Sequence, residues 1–149
     1  MMAILFEAER VKKPILKYRN LSIWIKNIIM EYNFLCGKLT YIFCDDDYLL
    51  DINNRFLKHD FYTDIVTFDY SKDNTISGDL FISVDRVKDN SVLFNVSVDE
   101  EFLRVIVHGL LHLLGYRDSS MEEKNTIREL ENKYILLFKN IENGCFKSL

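Results

Sequence analysis

The stretch VIVHGLLHLLGYRD, Val105 to Asp118, carries two of the chain's three histidines, His108 and His112, followed by Gly115 and Asp118. Imidazole nitrogen and carboxylate oxygen are both ligands for zinc and related transition ions. In an α-helix, residues four apart are offset by about 40° around the axis and about 6 Å along it. His108 and His112 then present their rings to one side, close enough to hold one ion. Gly115 can take the left-handed conformation that a sharp helix exit requires. Such an exit predicts that Asp118 returns toward the histidine side. The spacing H-x3-H-x2-G-x2-D follows the logic of the longer zinc motif H-E-x-x-H-x-x-G-x-x-H, in which the third ligand comes after the turn.

A histidine pair at this spacing is, by itself, more often structural than metal-binding. The surroundings tip the balance. The segment is otherwise almost wholly apolar, and imidazoles without partners there would carry a desolvation cost. Gly109, inside the helix, costs about 1 kcal/mol relative to alanine, which points to close packing or to a ligand approaching the backbone. Together with the third ligand, these features favour a metal site. Zinc peptidases with this helix use a glutamate directly after the first histidine as general base. Gly109 stands there instead, so peptide or amide hydrolysis is disfavoured.

The elements that must carry these residues are legible around them. Ser97 and Glu100 form an S-x-x-E capping box, and Asp99, Glu100 and Glu101 place negative charge in the first turn. The histidine helix is predicted to run to Leu114 and stop at Gly115. A final helix starts near Ser119 or Ser120, where S-x-x-E recurs, with Ile127, Leu130, Tyr134, Leu137 and Ile141 as its inward stripe. Upstream, NLSIWIKNIIMEYNFLCG sets Leu21, Trp24, Ile25, Ile28, Ile29 and Tyr32 at helical spacing, with Gly37 as the stop. KLTYIFC reads as a strand. DDDYLLDINNRFL reads as a helix with aspartates at its start and Leu49, Ile52 or Asn53, and Phe56 on one side. TDIVTFDY and GDLFISV read as two strands joined by SKDNTIS, and DRVKDNSVLFN as a helix. The predicted class is α+β, a small mixed β-sheet packed with several α-helices, residues 1–149 forming one domain.

Composition narrows the function. The chain has 149 residues, 48% hydrophobic and 13% aromatic, enough for a packed core. A net charge of −4 excludes polyanion binding through the overall field. Any nucleic-acid role needs a local basic patch. One such cluster is Arg10, Lys12, Lys13, Lys17 and Arg19, for which a solvated basic surface is at least as good a reading. Three cysteines (Cys36, Cys44, Cys145) without a C-x-x-C pair argue against a disulfide framework or zinc ribbon and for a reducing compartment. The amino terminus lacks the features of a signal peptide, and no apolar run is long enough for a membrane span. A cytoplasmic protein is expected.

HGLLHLLGY resembles the H-G-x-L-H-L-x-G-Y signature of the YbeY family, bacterial rRNA maturation factors regarded as metal-dependent endoribonucleases. INNRFLKHDFYTDIVTFDY is similar to that family's L-N-x-x-[YF]-R-x-x-D-x-x-T-[DN]-V-L-S-F segment, and SGDLFISVDRV to its G-D-[IL]-x-I strand. The resemblance spans Ile52 to Tyr116. It implies hydrolysis of phosphodiesters in single-stranded regions of ribosomal RNA precursors during ribosome biogenesis. The implied partners are rRNA or pre-rRNA and a ribosomal subunit, with neither DNA nor membrane. Carried over, His108 and His112 match the first two metal ligands. The family's usual G-Y-D-H reads G-Y-R-D here, so Asp118 occupies the third ligand position. The family's arginine falls on Leu57. Arg55, Lys58 and Arg117 are the candidates for holding the RNA backbone.

Two neutral histidines and one carboxylate leave a divalent site at +1, against +2 for three histidines, so a bound water is less acidic and the pull on phosphate weaker. The expected cofactor is one zinc ion. The same ligand set also suits non-haem iron and other divalent transition metals. No catalytic side chain is assigned beyond the metal-bound water. His59 reads as a surface or supporting residue, and Thr63, Asp64 and Asp79 as strand caps. The alternative is a ribosome-assembly binding factor with a structural metal and little nuclease activity.

Overall fold

The computed structural model describes residues 3–142. Strand β1 (Ala3–Ala8) leads to helix α1 (Tyr18–Glu31), strand β2 (Leu35–Cys44) and helix α2 (Asp46–Leu57). Strands β3 (Ile65–Asp69) and β4 (Thr75–Ser83) precede helices α3 (Val84–Leu93), α4 (Val98–Leu113) and α5 (Met121–Glu142). The four strands form one mixed sheet in the order β1-β2-β4-β3. β1 and β4 run parallel to β2, and β3 runs antiparallel to β4. The α+β class and the mixed sheet expected from the sequence are both present.

The β3–β4 connection turns on Asp73 and Asn74, both at positive φ, a conformation their short polar side chains tolerate and a two-residue hairpin needs. β1 was not expected. Its AILFEA run does alternate, with Ile4, Phe6 and Ala8 packed against the core, and six residues beside charged neighbours gave that period little weight.

Gly37 does not stop α1. The helix closes at Tyr32, and Asn33 supplies the left-handed residue at φ 63°. Gly37 lies inside β2, where a Cβ would fall 2.2 Å from Ser77 Oγ. Phe56 does not join the inner side of α2. Leu49, Ile52 and Asn53 are buried, and Phe56 turns outward onto the edge of Phe68.

α4 is the centre of the core, its Ile106, Val107, Leu110 and Leu111 fully enclosed. Ser97 Oγ accepts from the Glu100 amide at 3.0 Å. The reciprocal half of the predicted box is not made, because Glu100 Oε1 accepts from Lys139 instead. At the start of α5 the box is complete: the Glu123 amide donates to Ser120 Oγ, and Glu123 Oε1 accepts from the Ser120 amide. α5 packs against both α1 and α4, and that double contact rotates its inward side from the predicted stripe. Ile127, Glu131, Tyr134, Ile135, Phe138 and Ile141 are buried, whereas Leu130 and Leu137 are only partly so. Cys36 and Cys44 are buried free thiols, and Cys145 lies outside the described residues. Among the described residues, no helix is long and apolar enough to cross a membrane.

Candidate metal centre and its cleft

α4 can lie close on the sheet because residue 109 has no side chain. A Cβ on Gly109 would sit 2.6 Å from Ile65 Cδ1 and 2.7 Å from Leu80 Cδ2. Of the two explanations for that glycine, close packing is the one observed. With the helix pressed down at Gly109, His108 and His112 lie on the adjoining side of α4 and stay partly exposed.

The helix ends as its sequence predicts. Gly115, at φ 103°, donates to the His112 carbonyl, and the Tyr116 amide donates to the Leu111 carbonyl. This pair of reversed bonds is a Schellman closure. The Tyr116 hydroxyl is tied to Tyr32 at 3.1 Å, and Tyr32 to Tyr134 at 3.0 Å. The exit is thereby pinned to α1 and α5, and Asp118 comes back over the helix.

The three side chains converge. His108 Nε2 and His112 Nε2 are 3.0 Å apart, and Asp118 Oδ2 lies 3.4 Å from the first and 3.5 Å from the second. A tetrahedron with ligands at zinc–nitrogen distance has edges of about 3.3 to 3.4 Å, so the spacing fits one ion.

The other ring nitrogens decide what the converging atoms are. His112 Nδ1 is 3.1 Å from the Tyr116 carbonyl. A carbonyl can only accept, so Nδ1 carries the proton and Nε2 a lone pair. His108 Nδ1 donates to Glu131 Oε2 at 2.8 Å. Both Nε2 lone pairs and a carboxylate oxygen therefore face one another, an arrangement that repels unless a positive charge sits among them. His108 responds accordingly. Burial pushes its pKa down, but Glu131, Asp64 and Asp118 outweigh burial and leave it raised. Among the described residues, these three form the only group of histidine, cysteine and acidic side chains close enough to hold a metal ion, their ligand atoms all within 4.8 Å.

Glu131 is the supporting residue that sequence reading missed. It is 4% exposed, and its Oε1 accepts from Arg104 Nη1 at 3.0 Å. Carboxylates that bind the second nitrogen of a ligating histidine fix its tautomer and orientation. The signal was present in that α5 puts Glu131 on the side of the helix that carries Ile127 and Tyr134.

The trio opens on a cleft of about 310 Å³ lined by His108, Asp118, Glu131, Asp64, Glu101 and Arg104 among others. Asp64, read from sequence as a strand cap, belongs to this cleft, and burial raises its pKa. The proposed backbone-holding residues lie elsewhere. Arg55 is exposed and paired with Asp51, and Lys58 is exposed at the left-handed cap of α2. Arg117 is exposed beside Asp118 and lines a neighbouring hollow with Glu122 and Glu123. The basic residues lining the cleft itself are Arg104, Lys124 and Arg128. His59 stacks on Phe61 at the surface. In the amino-terminal cluster, Arg10 and Lys17 are paired with Asp45 and Glu142.

Residues 6–139 match the family model described as Endoribonuclease YbeY. The chain is 43% identical over 136 residues to Endoribonuclease YbeY of Bacteroides thetaiotaomicron, covering 91% of this chain and 99% of that one. It is 48% identical over 132 residues to the protein of the same name from Azobacteroides pseudotrichonymphae, covering 89% and 95%. The fold is similar to a solution structure of a Thermotoga maritima protein, with a TM-score of 0.63, 21% identity, and coverage of 95% of this chain and 93% of that one.

Proposed function

The chain belongs to the YbeY endoribonuclease family, and from that premise we propose that it is a metal-dependent endoribonuclease of ribosomal RNA maturation, acting as one domain. The observation that carries the reading is the convergence of two imidazole lone pairs and one carboxylate oxygen on a point beside an open cleft. His108, His112 and Asp118 are the residues that would hold a divalent ion, with zinc the best match to the ligand set and spacing. Such an ion, when bound, supplies Lewis acidity toward a phosphoryl oxygen and lowers the pKa of a coordinated water.

The chain's own residues supply the rest. Glu131, fixed by Arg104, holds His108 in the tautomer that turns Nε2 toward the ion. The Tyr116 carbonyl does the same for His112. Asp118 offsets one positive charge. Lys124 and Arg128 line the cleft at exposed positions, where they can receive the phosphates of an RNA strand. The substrate is pre-rRNA presented on or with a ribosomal subunit, in the cytoplasm.

The test is cleavage of single-stranded segments of pre-rRNA by purified protein, by chelated protein, and by His112→Ala. The expected result is cleavage by the first, restored to the second by zinc, and absent from the third while it remains folded. A His112→Ala variant that unfolds, beside a folded wild type that cuts no RNA, would favour the binding factor with a structural metal.

A further inference from the structure

Two turns before His108, α4 carries a second polar feature that the metal reading does not use. Glu101 lines the same cleft, is 2% exposed, and its Oε1 is buried without a hydrogen-bond partner. Buried polar atoms are normally satisfied, and one left open costs the desolvation of the group. Near it Asp64, at the start of β3, accepts a 3.5 Å hydrogen bond from Asn90. Burial raises the pKa of both carboxyl groups, and Asp64 raises that of Glu101 further. What Glu101 lacks is a hydrogen-bond donor.

A second metal ion does not fit. Among the described residues, Asp64, Glu101 and Glu131 do not approach one another closely enough to form a cation cage. The remaining class is an organic ligand with N–H groups. The other lining residues describe it further: Lys124 and Arg128 are exposed cations, and Phe94 is an aromatic ring, half exposed. Carboxyl groups inside, cations outside and one aromatic ring fit a nucleotide, its phosphates toward the cations and its base inward. Among the RNA bases, guanine carries two adjacent donors, N1–H and the N2 amino group, on one edge. Uracil carries one N–H flanked by two carbonyls, which would face the carboxyl groups.

We propose that this part of the cleft is a nucleobase subsite that takes a guanine beside the scissile phosphate, with Glu101 and Asp64 accepting from its donor edge and Phe94 lying against its ring. The subsite rests on the endoribonuclease reading, so two measurements separate them. Zinc-loaded protein is titrated with GMP, IMP and UMP by NMR. GMP is expected to bind at least about tenfold more tightly than UMP, with IMP, which lacks the 2-amino group, in between. Glu101→Gln and Asp64→Asn, each retaining its metal, are expected to bring GMP to within about twofold of UMP. Cleavage of single-stranded oligonucleotides differing at one position then maps to guanine in the wild type and loses that bias in the variants. Equal affinity for GMP and UMP, or a preference unchanged in both variants, overturns the subsite. RNA cleavage without base bias would overturn it while leaving the nuclease reading intact. A GMP preference with no cleavage of any RNA would support the subsite and defeat the nuclease reading.

Discussion

The two polar clusters of α4 lie two turns apart and are satisfied in opposite ways. At the carboxy-terminal end, the ring nitrogens of His108 and His112 face Glu131, the Tyr116 carbonyl, Asp118 and each other. At the amino-terminal end, Glu101 is more deeply buried than either histidine, yet its Oε1 has no partner. The first cluster has its supports in place and turns three acceptors toward one point, where a cation would sit. The second has a carboxyl group and lacks a donor. Burial of a polar side chain is therefore not one signal, and what distinguishes the two is whether the neighbours already answer its hydrogen bonds.

The sharpest way to break this contrast is at the histidines. His108→Ala or His112→Ala leaves two ligands of three, and metal content is expected to fall to background, with RNA cleavage falling alongside it. Elemental mass spectrometry and an oligonucleotide assay read the two. The supports come next. Glu131→Ala is expected to weaken metal binding about 10- to 100-fold, measured by competition with a chromogenic chelator. Glu131→Gln, which keeps an acceptor for His108 Nδ1, should recover part of that loss. Equal affinity in wild type and Glu131→Ala would make the 2.8 Å contact incidental.

Gly109→Ala probes the packing that lets α4 expose its histidines. The added methyl meets Ile65 and Leu80 below 3 Å. Overpacking costs about 1 to 3 kcal/mol, against a gain of about 1 kcal/mol in helix propensity. A net loss of about 1 kcal/mol in urea unfolding is expected, and a more stable variant would show the sheet can yield there.

An effect of similar size and opposite sign belongs to Glu101. Burial raises its carboxyl pKa, opposed by Arg104 and assisted by Asp64 and Glu131. The folded state thus keeps a proton that the unfolded chain releases above the ordinary glutamate pKa. Stability from this group is lost as pH rises from there through the folded value. Glu101→Gln, which cannot ionise, should stabilise the protein by about 1 kcal/mol at neutral pH and flatten that part of the pH–stability curve. A parallel curve in the variant would mean the carboxyl group is better answered than its surroundings indicate.

The metal trio was legible because its geometry is local. Spacing of four on a helix and one left-handed glycine bring His108, His112 and Asp118 together without knowledge of the rest of the fold. The capped starts of α4 and α5 were legible for the same reason. Glu131 and Asp64 were not, because they reach the site from α5 and the start of β3. Arg104, one turn before His108 on the same side of α4, has a role only once packing brings Glu131 to it. Gly37 misled because a glycine after an apolar run reads as a helix stop, whereas this one makes room for Ser77 within the sheet. Phe56 misled because its helix is covered on one narrow side. The α5 stripe was misplaced because two neighbours, rather than one, choose its buried side.

Whether His108, His112 and Asp118 hold one ion decides between a metal centre and a pair of partly buried histidines. The measurement is the metal content of untagged wild-type protein after incubation with zinc, beside Asp118→Ala and His112→Ala. Close to one zinc per wild-type chain, lost in both folded variants, is the predicted result. A folded wild type that takes up no metal, or an Asp118→Ala variant that keeps it fully, would contradict the three-ligand site.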